Sequence, residues 1–252
     1  MTPLFKTVAD ASCPSKIDKI LIKVTNKYCY NNLYYKCMSL KDILLGTFNN
    51  LEPVDLPPWL SNHITENEST ITSYVWKTDK IRRIRLCELN IKNKFFAESL
   101  VLYPEFTYEF PIFGTEYLGT SSKKYFGTID FHPLKSDKEY NLNYIDPYLS
   151  DFEDRKKEKS KVYDLNKYFS KKLWIKSSND CFYKEYIDQF TQYIIQYKKC
   201  IENSKKTEVS YLYQKGYDYH LSSTDPAYGI LKAHYNKEFA EKYIYNFLFD
   251  LH

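Results

Sequence analysis

Along the chain the apolar positions keep two different periods, and the change between them divides it. From Ile71 to Leu134 they recur at every second residue or run together in short stretches, the habit of half-buried and buried strands. Ile71–Trp76 is the first strand and Ile81–Ile91 the second. In the second, Arg83, Arg85, Cys87 and Leu89 share one face and Ile84, Leu86 and Glu88 the other, because successive side chains alternate. Ser99–Tyr103, Ile112–Leu118 and Lys124–Phe131 follow, rich in β-branched and aromatic residues. The Pro104 to Pro111 loop and the turn at Gly119 to Ser122 punctuate them. Five strands joined by short connections predict an antiparallel meander. Lys171–Lys176 reads as one more short strand.

Then the period becomes helical. Phe182, Tyr183, Tyr186, Ile187, Phe190, Ile194 and Tyr197 make one apolar face of a helix over about 181–203. Another starts at Asp225-Pro226, where aspartate suits the N-cap and proline the first turn. The last spans about 237–249, with Phe239, Ile244, Phe247 and Leu248 inward. Upstream, Lys16–Val24 fits a short amphipathic helix, and Tyr28–Leu45 has helical tendency towards its end. The prolines of segment 51–58 make it an extended connector. Residues 151–161 are a mixed charge run, read as a solvated loop or helix end. Strands first and helices later predict an α+β fold, one antiparallel sheet with helices packed on its faces. With no Gly/Ser-rich linker and no internal repeat, the 252 residues are expected to form a single domain.

Composition narrows the function more than the fold. A net charge of +4 permits an acidic partner but is too weak for a dedicated nucleic-acid binder. Abundant Tyr, Lys, Asn and Ile point to an AT-rich genome, a bland source for the 18% aromatic content. The six cysteines show no CxxC spacing, and with five histidines they suggest neither a zinc site nor a disulfide framework. Free thiols in a reducing compartment are expected. No apolar run reaches the roughly 18 residues of a membrane span, and the start lacks the order of a secretory signal. Six glycines form neither a dinucleotide-binding nor a P-loop pattern.

Carboxylates inside apolar runs need a partner or a task. Glu116 is either paired with one of the arginines at 82, 83 and 85 or free to do chemistry. Asp225 is either a plain helix cap or a site residue, and Asp130 either bonds a neighbouring turn or faces a ligand.

Taken together these residues resemble the ferredoxin-dependent bilin reductases. The matching runs are Tyr103-Pro104, Phe110 to Glu116, Ile129 to Leu134, Thr224 to Leu231 and Asn246 to Phe249, with Thr78 to Arg85 before them. The resemblance covers roughly residues 71–252 and leaves out the first 50 or so. It implies an α/β/α sandwich around a central antiparallel sheet. It also implies an open-chain tetrapyrrole between the sheet and the C-terminal helices, no bound metal or flavin, and reduced ferredoxin as external electron donor. Electrons arrive singly, and carboxylic acids and water protonate a bilin radical. Glu116 and Asp225 are then the catalytic acids, and Ser99, Asp130, His132, Phe113, Tyr228, Arg83 and Arg85 bind substrate. Two departures stand out: Glu116 replaces the family's usual aspartate, and Ser99 stands where His, Asn or Asp is common.

Local features, the Tyr103 to Tyr108 loop, the Asp130 to Tyr140 run and the Ala233 to Phe239 ending, most resemble the enzyme converting biliverdin to 15,16-dihydrobiliverdin. Phycoerythrobilin or phytochromobilin formation, or bilin carriage without reduction, is the alternative. Ferredoxin is expected to dock on Lys77, Lys80 and Arg82 or on Lys171, Lys172 and Lys176. A following bilin reductase or a heme oxygenase is a further candidate partner. No nucleic acid or membrane partner is expected, and the protein is expected to be a monomer in a plastid stroma, or in the cytoplasm of a prokaryotic host.

Overall fold

The structure, a computed structural model, describes residues 38–65, 68–92, 94–133, 146–154, 168–206 and 210–251. The expected helix over Lys16–Val24, most of the segment from Tyr28 and the charge run beyond Asp154 lie outside these residues.

Helix α1 (Leu40–Thr47) opens with a reciprocal capping box between Ser39 and Asp42. Two short strands, β1 (Glu52–Pro53) and β2 (Asn62–Ile64), flank the single turn α2 (Pro58–Ser61). The meander then runs β3 (Thr70–Lys77), β4 (Ile81–Ile91), β5 (Phe95–Pro104), β7 (Ile112–Thr120) and β8 (Tyr125–His132), each antiparallel to the one before. The two-residue β6 (Tyr108–Glu109) sits in the loop after β5. β9 (Trp174–Ser178) adds to β8, and β1 and β2 share the outer edge of β3, giving an eight-stranded sheet. The expected strand at Lys171–Lys176 is therefore shifted, because its ladder begins where Trp174 meets Ile129.

Alternation divides the sheet into two chemically different faces. One carries Ile84, Leu86, Leu100, Leu102, Phe113, Tyr117, Ile129 and Phe131 and packs against α1, α3 (Asp146–Leu149) and α4 (Tyr183–Glu202). Tyrosine serves this layer because each ring fills the core while its hydroxyl reaches a partner. Tyr186 meets Thr115 Oγ1 at 2.7 Å, Tyr197 donates to the Pro111 carbonyl at 2.8 Å, and Tyr183 donates to Glu98 at 2.9 Å.

The other face carries Ile71, Val75, Cys87, Leu89, Val101, Tyr103 and Ile112. Over it lie α5 (Ser210–Ser222), α6 (Ala227–His234) and α7 (Lys237–Tyr243), which runs into a π-helical turn at Ile244–Leu248. β10 (Lys205–Lys206) leads from α4 towards α5 and pairs with β6. The result is the antiparallel sheet with helices on both faces that the order of elements predicts, and the α/β/α sandwich that the resemblance implies. Helix α5 was not foreshadowed by hydrophobic period. Its buried side is Ser210, Gln214, Tyr217, Asp218, Leu221 and Ser222, largely polar, while Leu212 and Tyr219 face solvent.

Candidate active site

Ladder register lines up residues far apart in sequence. Ser73 pairs with Cys87, Cys87 with Ser99, Ser99 with Glu116 and Glu116 with Thr128. Directly paired residues share a face, so these five form one polar row across β3, β4, β5, β7 and β8. A parallel row two residues along holds Leu89, Ala97, Leu118 and Phe126. Helix α7 covers the β3–β4 end, where the Tyr243 hydroxyl lies 2.7 Å from Ser73 Oγ. Ser99, Glu116, Thr128, Ala97, Leu118 and Phe126 are half-exposed. They form an open floor with a polar stripe beside an apolar one. Thr128, Ala97, Leu118 and Phe126 escaped the sequence reading. Alternation places Thr128 on the face of Asp130, but the alignment with Glu116 depends on a register that the residues alone leave open.

Over this face lies the α5–α6 junction. Asp225 Oδ1 accepts the Ala227 N–H at 2.7 Å, so this carboxylate does cap the helix. It is half-buried, and burial raises its proton affinity, while the Ala227 N–H and the Arg85 charge pull the other way. Arg85 is the link to the floor: its Nη1 donates to Ser99 Oγ at 3.3 Å. Tyr228 sits in the first turn of α6, half-buried against the same core. Glu116, Ser99, Arg85, Asp225 and Tyr228 thus belong to one layer, the sheet face and the helices covering it.

The arginines also have a structural duty. The last carbonyls of a helix have no partner within it, and here they meet guanidinium groups. Arg85 Nε donates to Leu248 O at 2.9 Å, and Arg83 Nη2 donates to Phe247 O. Asp250 receives Arg82 at 2.7 Å and lies 3.2 Å from Arg83 Nη1. Arg82 Nε also donates to Gln214, which in turn donates to the Pro104 carbonyl and Ser210. Asp218 accepts from Tyr103 OH at 2.9 Å and from the Leu251 N–H at 3.0 Å. Burial pushes its carboxyl up to about 6 despite those two hydrogen bonds. Arg83, expected to bind substrate, takes part in this C-terminal clasp. Arg85 serves both clasp and floor.

Asp130 and His132 anchor the segment before β9. Asp130 is fully buried and accepts from the Ser170 N–H at 2.8 Å and from its hydroxyl, so the neighbouring-turn alternative describes its contacts. His132 Nδ1 donates to the Tyr168 carbonyl at 2.9 Å. Burial lowers its pKa to about 4, so its 3.6 Å approach to Asp130 is not an ion pair at neutral pH. Its ring crosses the strand at Gly114, where a Cβ would collide with it. Phe113, expected against the substrate, projects into the opposite layer, among Phe131, Phe190 and Tyr197. Tyr117 does the same, so the aromatic rings next to Glu116 in sequence are not its surroundings. Among the described residues no group of three His, Cys, Asp or Glu side chains could hold a metal ion.

Comparison with known proteins places this architecture. The profile of the ferredoxin-dependent bilin reductases matches residues 42–250. A 15,16-dihydrobiliverdin:ferredoxin oxidoreductase of Synechococcus sp. (strain CC9605) is 30% identical over 215 residues, covering 78% of this chain and 89% of that protein. A protein of the same name from Prochlorococcus marinus (strain NATL1A) is 33% identical over 196 residues, covering 72% and 81%. Among solved structures, tomato phytochromobilin synthase in complex with biliverdin superposes with a TM-score of 0.67 at 17% identity, over 84% of this chain and 83% of that one. A sheet that keeps one face for its aromatic core and turns Glu116 to the other, matched over nearly its whole length by one family, leads to one assignment: the chain belongs to the ferredoxin-dependent bilin reductases.

Proposed function

We propose that the protein reduces biliverdin at its 15,16 double bond, giving 15,16-dihydrobiliverdin. The observation that carries the reading is Glu116 in the half-exposed polar row beside Ser99, with Arg85 bonded to Ser99 and its charge acting on Asp225. The reaction named for the Synechococcus and Prochlorococcus relatives supports the choice of bond.

Two electrons arrive one at a time from two reduced ferredoxins, which are oxidised, and two protons complete the addition of hydrogen at C15 and C16. The tetrapyrrole lies on Ala97, Leu118 and Phe126, with its polar edge along Ser99, Glu116 and Thr128. Covering Glu116 with an apolar ring system excludes water from the carboxyl group and raises its proton affinity, which keeps it a donor. Each electron makes the conjugated system more basic, and a proton follows it from Glu116 or Asp225. Arg85 holds positive charge beside the floor, where it stabilises negative charge entering the substrate. Ferredoxin dependence and the AT-rich residue usage favour a plastid stroma.

The test is an anaerobic incubation with biliverdin and reduced ferredoxin, with the product identified by absorption and chromatography. A 15,16-reduced product supports the reading. A shifted biliverdin spectrum with no reduction would make the protein a carrier, and a different isomer would move the bond.

A further inference from the structure

We propose that the tip of the sheet formed by the β4–β5 and β7–β8 hairpins is the docking surface for the acidic iron–sulfur donor. This rests on the reading above, that the electrons go to a bilin on the open floor.

Apart from the exposed Lys171, the basic groups that sequence alone offers for this role are engaged elsewhere. Lys77 pairs with Glu52, and Lys80 donates to the Ile201 and Glu202 carbonyls at the end of α4. Arg82 is held by Asp250, Lys172 by Asp154 and Lys176 by Glu185. The hairpin tip differs. Lys92 and Lys94 flank the first turn and Lys123 and Lys124 form part of the second, all four exposed. The Ser121 N–H donates to the Lys94 carbonyl at 2.8 Å, which ties the two turns into one surface. Lys92 is paired with Glu68. The ammonium groups of Lys94, Lys123 and Lys124 have no hydrogen-bond or ion-pair partner among the described residues. Among the described residues, Asp180, two residues beyond the Ser178 that pairs with Tyr125, is another acid at this end. The balance stays positive, and the short side chains of Ser121 and Ser122 let a partner approach.

Position makes the patch relevant to electron transfer. Leu118 of the floor is two residues from Thr120, and Phe126 two residues from Lys124. At about 3.3 Å per residue the lysines stand roughly 7–15 Å along the strands from the floor. A donor seated there lies just beyond the strand ends that carry Leu118 and Phe126. Free lysines around such a mouth raise the encounter rate of an acidic partner and lose that effect in salt.

The test is the variant Lys94→Glu/Lys123→Glu/Lys124→Glu, with Lys205→Glu/Lys206→Glu as control on the β10 surface. Ferredoxin binding is measured by calorimetry, and biliverdin reduction is followed at varied ferredoxin. The triple variant is expected to raise both Kd and KM for ferredoxin about tenfold or more, to flatten their salt dependence and to leave biliverdin binding unchanged. The control is expected to stay within about twofold. If thermal melting shows that charge reversal unsettles the fold, Lys94→Gln/Lys123→Gln/Lys124→Gln carries the same test with about a threefold loss. Unchanged ferredoxin affinity in the tip variants, an equal loss in the control, or no ferredoxin binding by the parent protein overturns the proposal. Tip-dependent ferredoxin binding without biliverdin reduction overturns the assigned reaction and leaves the docking surface standing.

Discussion

Glu116 has polar neighbours on its own row, Ser99 and Thr128. Glu116→Gln keeps the size and hydrogen bonding of the side chain but has no proton to give. We expect biliverdin to bind and accept the first electron, turnover to fall by about 10²–10⁴-fold, and a bilin radical to accumulate, detectable by paramagnetic resonance. Glu116→Asp is expected to keep activity; a Glu116→Gln protein as fast as the parent would remove the residue from the mechanism. Asp225→Asn separates capping from chemistry. Asparagine caps as well as aspartate, so the thermal midpoint should hardly move, while rate or product identity changes. At this scale the sequence was partly legible. The acidic residues could be picked out as carboxylates in apolar runs. Their surroundings could not, because Phe113 and Tyr117 are close to Glu116 in the chain and across the sheet from it in space.

Among the elements, α5 and the π-helical turn are held by polar contacts, and that makes them sensitive to pH. Asp218 has a folded pKa of about 6, raised from 3.8 by burial, so the folded state binds its proton more tightly than the unfolded chain does. Its contribution to stability is complete below about pH 4 and is lost as pH rises through 6, an amplitude of roughly 3 kcal/mol. Urea melts of Asp218→Asn should therefore gain on the parent between pH 4 and 7 by about that amount. His132 has the opposite sign. Burial lowers it from 6.5 to about 4, so its contribution is complete above 6.5 and is lost as pH falls towards 4, again by roughly 3 kcal/mol. His132→Gln should flatten the acid limb that Asp218→Asn steepens; parallel pH profiles for the two variants would contradict both assignments. The polarity that creates this sensitivity also hid α5 from the hydrophobic pattern, since Gln214 and Asp218 lie on its buried side. α4, with an apolar stripe from Tyr183 to Tyr197, could be read almost to its ends.

For the molecule as a whole, the order of the five central strands follows directly from short connections, and their division into two faces follows from alternation. What alternation cannot supply is how far each strand slides along the next, and that register is what sets Ser99, Glu116 and Thr128 side by side. The two faces predict two kinds of mutant. Phe113→Ala should cost about 3–5 kcal/mol of stability, read from denaturant melts, while the folded fraction makes the same product. A change of product in that variant would mean that the layers are coupled.

The separation of faces has a consequence for descent. On β7, Thr115 and Tyr117 hold the sheet to α4, while Glu116 between them looks the other way. A mutation at Glu116, Ser99 or Thr128 can therefore change the open face without loosening the aromatic layer behind it. A lineage built on such a sheet can vary the open face at little risk to folding.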